Sequence, residues 1–186
     1  HVVAEPIQED YYQIESIEIP EDIVLEAGGI EQMPSGQVAV STRRGDIFMV
    51  SNLLDEVKGN ETFSLWARGL HEVLGLAYAD EWLYATQRPE VTRIKDSDGD
   101  GRADVFDTVS DGWGVSGDYH EYAFGSRFDP QGNMWVVLCL TGSFRSNVPY
   151  RGWCVRVSKD GTMIPTASGI RSPGGIGLNA KGEAFY

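Results

Sequence analysis

The sequence predicts an all-β fold of the β-propeller type, and three observations carry that expectation. Segments of about 40–50 residues repeat along the chain. Each holds short runs of alternating apolar residues bounded by Gly and Asp turns. Helical periodicity is nearly absent.

The repeat is clearest when Gly36–Val50 (GQVAVSTRRGDIFMV) is laid over Asp80–Ile94 (DEWLYATQRPEVTRI), which align without a gap at an offset of 44. Turn, alternating strand, Thr, Arg, second turn and second strand recur in order. A third copy starts at Gln131 (QGNMWVV) and resumes after an insertion as Gly152–Gly161 (GWCVRVSKDG); a fourth begins at Lys181 (KGEAFY). One such unit is a small twisted sheet that cannot bury both faces alone, so units must stack around an axis and cover one another. The predicted order is a lead-in over 1–29, a first blade over 30–69, a second over 70–119, a third over 120–169 and the start of a fourth over 170–186. Within the lead-in, Glu9–Ile23 holds Pro20 and β-branched Ile14, Ile17 and Ile19, which predicts an extended strand closing onto the propeller rather than a helix. A β-sandwich with accidental repetition is the competing fold.

Composition narrows the function classes. Of the 186 residues 41% are hydrophobic and 23% charged, ordinary values for a globular protein. No apolar run approaches the roughly 18–20 residues of a membrane-spanning helix. The formal charge is −13, from 28 acidic and 15 basic side chains, and such a body repels phosphate backbones; nucleic acid is not an expected partner, whereas cations are. The chain starts at His1 without Met and stops at Phe185-Tyr186 within a strand-like run, so it reads as a piece of a longer protein. The two cysteines, Cys139 and Cys154, fit neither a CxxC metal pattern nor a haem attachment. A cross-strand disulfide and two buried thiols are both open to them.

One motif is specific. In Asp96–Asp107 (DSDGDGRADVFD), Asp96, Asp98 and Asp100 take the first, third and fifth positions of an EF-hand-type loop, with Gly101 at the sharp turn. The Arg102 carbonyl, Asp104 and Asp107 follow at the seventh, ninth and twelfth. A hard cation needs such an oxygen set, and without one five clustered carboxylates repel each other. Strand-like runs flank the loop on both sides, so the expected calcium site is static and structural, not a sensor; a solvated acidic loop without metal is the alternative.

Reactive candidates lie where each copy leads into its first strand. His120 sits in GDYHEYAF, flanked by Asp118 and Glu121, either of which could orient the ring and raise its basicity. Arg171 lies in Ser168–Asn179 (SGIRSPGGIGLN), beside a tight Pro-Gly turn, and could grip a carboxylate. His71 holds the matching place in Arg68–Tyr78 (RGLHEVLGLAY). Equivalent positions of successive blades converge on one end of the channel; the bland alternative is that His120 and Arg171 serve as blade-to-blade ties.

At these residues the chain resembles the glucose/sorbosone dehydrogenase-type propellers, relatives of the soluble quinoprotein dehydrogenases. GDYHEYAF, GIRSPGGIGLN and RGLHEVLGLAYADEWLYATQR carry the resemblance, which runs from Tyr11 to Tyr186. The loop DSDGDGRAD, YRGWC and STRRG are similar to a group of large secreted proteins of planctomycetes and their relatives, labelled membrane-bound dehydrogenases and often joined to a haem-binding cytochrome c domain. The resemblance implies calcium and pyrroloquinoline quinone as cofactors, a sugar or other alcohol as substrate, a cytochrome as electron acceptor, and a secreted or periplasmic location. It implies His120 as the base that takes the hydroxyl proton, with Asp118 beside it, and Arg171 as the quinone contact, with His71 at the same mouth. The loop Asp96–Asp107 is separate from the calcium site that touches quinone in that family. A non-catalytic, calcium-stabilised propeller that binds carbohydrate or protein is the alternative. Trp66, Trp82, Trp113, Trp135 and Trp153 would then supply either sugar-stacking faces or inter-blade core.

Overall fold

The computed structural model describes residues 12, 14–140 and 147–186, and every element in it is a strand. The first sheet comprises β1 (Ala27–Gln32), β2 (Val38–Thr42), β3 (Ile47–Ser51) and β4 (Thr62–Ala67). The second comprises β5 (Gly75–Ala79), β6 (Trp82–Thr86), β7 (Val91–Lys95) and β8 (Val105–Ser110). The third comprises β9 (Ala123–Phe128), β10 (Met134–Leu138), β11 (Trp153–Val157) and β12 (Met163–Ser168). A fourth opens with β13 (Gly177–Leu178) and β14 (Ala184–Phe185). All pairings are antiparallel between sequence neighbours. Short hairpin turns suffice for such meanders, which explains the density of Gly and Asp between the runs.

Burial shows how the sheets stack. In β2 every residue is buried, and in β3 all but the last, because the middle strands are covered on both faces and read as continuous apolar runs. The outermost β8 alternates instead, with one face wet. Ile47, Trp66 and Ala67 of the first sheet share a core with Leu76, Leu83 and Ile94 of the second and with Val73 of the segment leading into it. Ala77, Val91 and Trp113 share another with Ala123, Met134, Val136 and Val155 of the third. Trp66 and Trp113 are therefore inter-blade core, whereas Trp82 lies under Arg93, 4.5 Å from its ring centroid.

β1, β5, β9 and β13 are the innermost strands, packed one against the next. A Cβ on Gly75 would lie 1.4 Å from the Gly125 carbonyl oxygen, and one on Gly29 would lie 3.1 Å from the Gly75 Cα. Neighbouring blades thus meet backbone to backbone near the axis, which only glycine permits. A cavity of about 260 Å³ runs beside Gly29, Gly75, Gly125 and Gly175.

One expectation needs amendment, and one open alternative is decided. Residues 14–26 form no strand, only a turn at 21–22, and Tyr12 makes an isolated bridge; the rest of the predicted N-terminal strand, residues 9–11 and 13, lies outside the described residues. Leu25 of this segment instead packs on Val38, Val40 and Val50, covering the outer face of the first sheet. Cys139 and Cys154 are both buried thiols. Burial pushes the Cys154 thiol up to about 11.

Candidate functional site

The register defines two ends of the disc. Ala27 pairs with Thr42, Gly75 with Thr86, and Ala123 with Leu138. Each segment leading into an innermost strand therefore lies beside the turn that joins the second strand to the third. His71, His120 and Arg171 are all on such lead-in segments, at the same end, here termed the mouth.

His120 is half exposed, with Nδ1 3.7 Å from Asp118 Oδ1. That distance is too long for a hydrogen bond, and Nδ1 is buried with no bonding partner. Asp118 is itself fixed, because its Oδ1 accepts the His120 amide at 3.0 Å. The Tyr119 ring lies against the imidazole, centroids 3.8 Å apart, and is 69% exposed. Glu121, the other flanking carboxylate, does not serve His120. It is fully buried and accepts bonds from the Ser116 amide and hydroxyl, both at 2.7 Å, and from the Gly117 amide at 3.0 Å. A turn with Glu121 N–H bonded to the Asp118 carbonyl at 3.2 Å sends the two carboxylates in different directions.

His71 is exposed at the mouth, while its main chain is clipped to the β6–β7 turn. Its amide donates to Gln87 Oε1, and its carbonyl accepts the Arg88 amide at 3.2 Å. Arg171 is also exposed; its carbonyl accepts the Leu140 amide at 3.0 Å and its Nη1 donates to Ser172 Oγ at 3.2 Å. It reaches the surroundings of Cys139, whose thiol burial pushes up while Arg151 and Arg171 draw it back down.

Around these three stands a set of residues that motif reading passed over. Glu72 pairs with Arg43 (Nε–Oε1 3.1 Å) and with Arg88 (Nη1–Oε2 2.9 Å). The second contact is an ion pair by distance but is not aligned as a hydrogen bond. Arg43 also donates to the Tyr122 hydroxyl at 2.8 Å. Arg151, only 3% exposed, donates to the carbonyls of Gly114, Tyr122 and Arg88 at 2.8, 3.0 and 3.0 Å. Burial pulls its guanidinium down to about 10 against the opposing pull of Glu121, so it stays charged at neutral pH. One member left a signal in the sequence: Arg88 matches Arg44 of the preceding copy, after the second strand, at the mouth end.

The acidic loop is at the opposite end, between β7 and β8. Oxygens of Asp96, Asp98 and Asp100 lie within 4.8 Å of one another. The chain turns tightly around them, with Asp96 accepting the Gly99 and Gly101 amides at 2.7 and 2.9 Å. Asp100 accepts the Arg102 amide at 2.8 Å. Asp104 and Asp107 are engaged elsewhere. The Ser97 hydroxyl and amide donate to Asp104 at 2.6 and 2.7 Å and hold its carboxyl below the usual range. Asp107 faces Arg93 across the β7–β8 ladder at 3.0 Å. Of the five predicted carboxylates, the structure therefore gathers three, Asp96, Asp98 and Asp100, in one cluster. The Ala103 amide bonds the Trp66 carbonyl at 2.8 Å, tying the loop to the first sheet.

No family model matches the chain, and no curated protein matches it. Solved structures do. The PQQ-bound aldose sugar dehydrogenase of Streptomyces coelicolor superposes with a TM-score of 0.60 at 21% identity, over 87% of this chain and 56% of that one. An oxidoreductase of Thermus thermophilus described as a glucose dehydrogenase gives 0.64 at 19% identity, over 85% and 56%. Virginiamycin B lyase of Staphylococcus aureus gives 0.53 at 15% identity, over 85% and 47%. The chain thus spans just over half the length of the two dehydrogenases. At these identities the likeness establishes the fold: this is an all-β chain of propeller architecture, and its structural neighbours include sugar dehydrogenases and a lyase.

Proposed function

We propose that this chain is part of a sugar or alcohol dehydrogenase whose substrate binds over the mouth, with His120 as the base. The observation that carries the reading is His120 Nδ1, buried and unbonded, facing a carboxylate that its own turn holds in place. A base needs an oriented ring and a nearby carboxylate to stabilise the imidazolium, and such contacts tighten when substrate arrives. The exposed Tyr119 ring against the imidazole offers an apolar face for a sugar. Pyrroloquinoline quinone, a carboxylate-bearing ligand, suits the exposed guanidiniums of Arg171 and Arg43, with His71 on the same rim. When bound it supplies the hydride acceptor. His120 would take the hydroxyl proton, and Asp118 would steady the charge that results. A cytochrome c domain or partner as electron acceptor, export to a secreted or periplasmic location, and the planctomycete group as nearest kin belong to the same proposal.

Calcium is proposed at the acidic loop, in a structural role. Asp96, Asp98 and Asp100 offer hard oxygens in one cluster, which suits a cation that takes six to eight such ligands. The second reading, a calcium-stabilised propeller that binds carbohydrate or protein without catalysis, is favoured by the distance of this loop from the mouth and by the variety of functions one fold hosts. Titration of the full-length protein with the quinone and calcium, followed by a panel of sugars, separates the two. Reduction of bound quinone that disappears in His120→Ala establishes the dehydrogenase. Absence of quinone binding at micromolar concentration leaves the binding propeller.

A further inference from the structure

We propose that Arg88 is a positioning residue that sets the orientation of His120 from the neighbouring blade, acting as one arm of the Glu72–Arg88 ion pair. The inference rests on the reading of His120 as the working group of the mouth. Arg88 lies in the β6–β7 turn of the second sheet, whereas His120 leads into the third. The guanidinium spans the gap. Nη1 meets Glu72 Oε2 at 2.9 Å, Nε donates to the Glu121 carbonyl at 3.2 Å, and Nη2 donates to the Asp118 carbonyl. Those two carbonyls bracket His120. The flat face of the same group lies 5.1 Å from the Tyr122 ring centroid.

The main chain of Arg88 is equally committed. Its amide bonds the His71 carbonyl, and its own carbonyl accepts Trp113 Nε1 at 2.7 Å and Arg151 Nη2 at 3.0 Å. The side chain is 12% exposed and that of Glu72 17%, so the pair works at reduced screening. With both carbonyls pinned, the 118–121 turn cannot rotate, and Nδ1 of His120 stays directed at Asp118. A lysine carries the charge but not the rigid fork, and cannot hold three oxygens arranged around one plane. One arginine thereby couples the loop of His71 to the turn of His120.

The test is the ring NMR spectrum of His120 in full-length protein with labelled histidine. Arg88→Ala and Arg88→Lys are expected to shift and broaden its signals. Ethylguanidinium added to Arg88→Ala should restore them, and ethylammonium at equal concentration should not. Glu72→Gln, which removes one charge and keeps the shape, should move them in the same direction by less. If Arg88→Ala does not fold, the lysine variant and Glu72→Gln carry the test. Wild-type His120 signals in a folded Arg88→Lys protein overturn the proposal. Where dehydrogenase turnover is measurable, Arg88→Lys should lower kcat on the order of 100-fold, the scale of a misplaced catalytic group, with KM little changed. A wild-type protein without turnover counts against the enzymatic reading alone, since the His120 signals still decide the role of Arg88.

Discussion

The mouth and the acidic loop are both rich in charge, and they are built on opposite plans. At the mouth, a covered set of charges beneath the exposed rim is bonded across blades: Arg151 reaches carbonyls of three segments, and Arg88 links Glu72 to the turn of His120. In the loop, the carboxylates are mostly exposed and bonded to amides only a few residues away. Charge at the mouth is thus part of how the blades are joined, whereas charge in the loop is free to respond to an ion. Disturbing the first should damage the whole fold; disturbing the second should matter only when a cation is supplied.

The sharpest way to break this contrast is Arg151→Ala. It removes the three hydrogen bonds that the Arg151 guanidinium donates to the carbonyls of Gly114, Tyr122 and Arg88, and a hydrogen bond from a charged donor contributes about 1.5–3 kcal/mol. Urea unfolding should show that loss, and a loss below about 1 kcal/mol, the range of exposed pairs, would place Arg151 in the same class as surface charge. Next comes Gly75→Ala, whose methyl would overlap the Gly125 carbonyl. Overpacking of this kind costs about 3 kcal/mol, again read from the unfolding midpoint.

The loop supplies the opposite case. Calcium at a hundredfold excess over its Kd should stabilise the protein by about 2.7 kcal/mol, and Asp98→Asn should abolish that gain. Without calcium the same variant should lie within about 0.5 kcal/mol of wild type. A large calcium-independent loss would mean that the loop, like the mouth, is structural by its own bonds. The smallest effect belongs to Asp129, in the β9–β10 turn. Burial pushes its carboxyl up, but the Asn133 side chain and amide, Trp135 Nε1 and the Gln131 amide together hold it below the usual range. A carboxyl depressed in the folded state contributes stability above pH of about 4 and loses it as pH falls through the lower value. Asp129→Asn should remove about 1 kcal/mol of stability at neutral pH and correspondingly less in acid.

The two regions also differ in how far they could be read in advance. The loop was legible because its chemistry is local: Asp96, Asp98 and Asp100 meet through adjacent residues, and spacing alone brings them together. Its limit was Asp107, which belongs to a strand and takes the cross-strand partner Arg93 that spacing does not reveal. The lead-in positions of His71, His120 and Arg171 followed from the repeat, since register carries equivalent residues to one end. Their partners did not follow. Glu72, Arg88 and Arg151 meet only because separate blades are stacked, and nothing in the spacing of residues 72, 88 and 151 encodes that meeting. Glu121 shows the same limit at short range, because a single turn decided which of two adjacent carboxylates stayed beside the imidazole.

The bare backbone contact between innermost strands has a consequence for the shape of the ring. Each blade is a wedge, thin at the axis and thick at the rim, and its taper fixes the angle it subtends. Glycine at positions 29, 75 and 125 thins the inner edge to the width of the main chain. Methyl groups there would blunt the wedge, narrow the angle between neighbours and demand more blades to close a circle. The side chain left out at these positions is therefore a setting of curvature, made at the point where a small change in thickness turns the next sheet furthest.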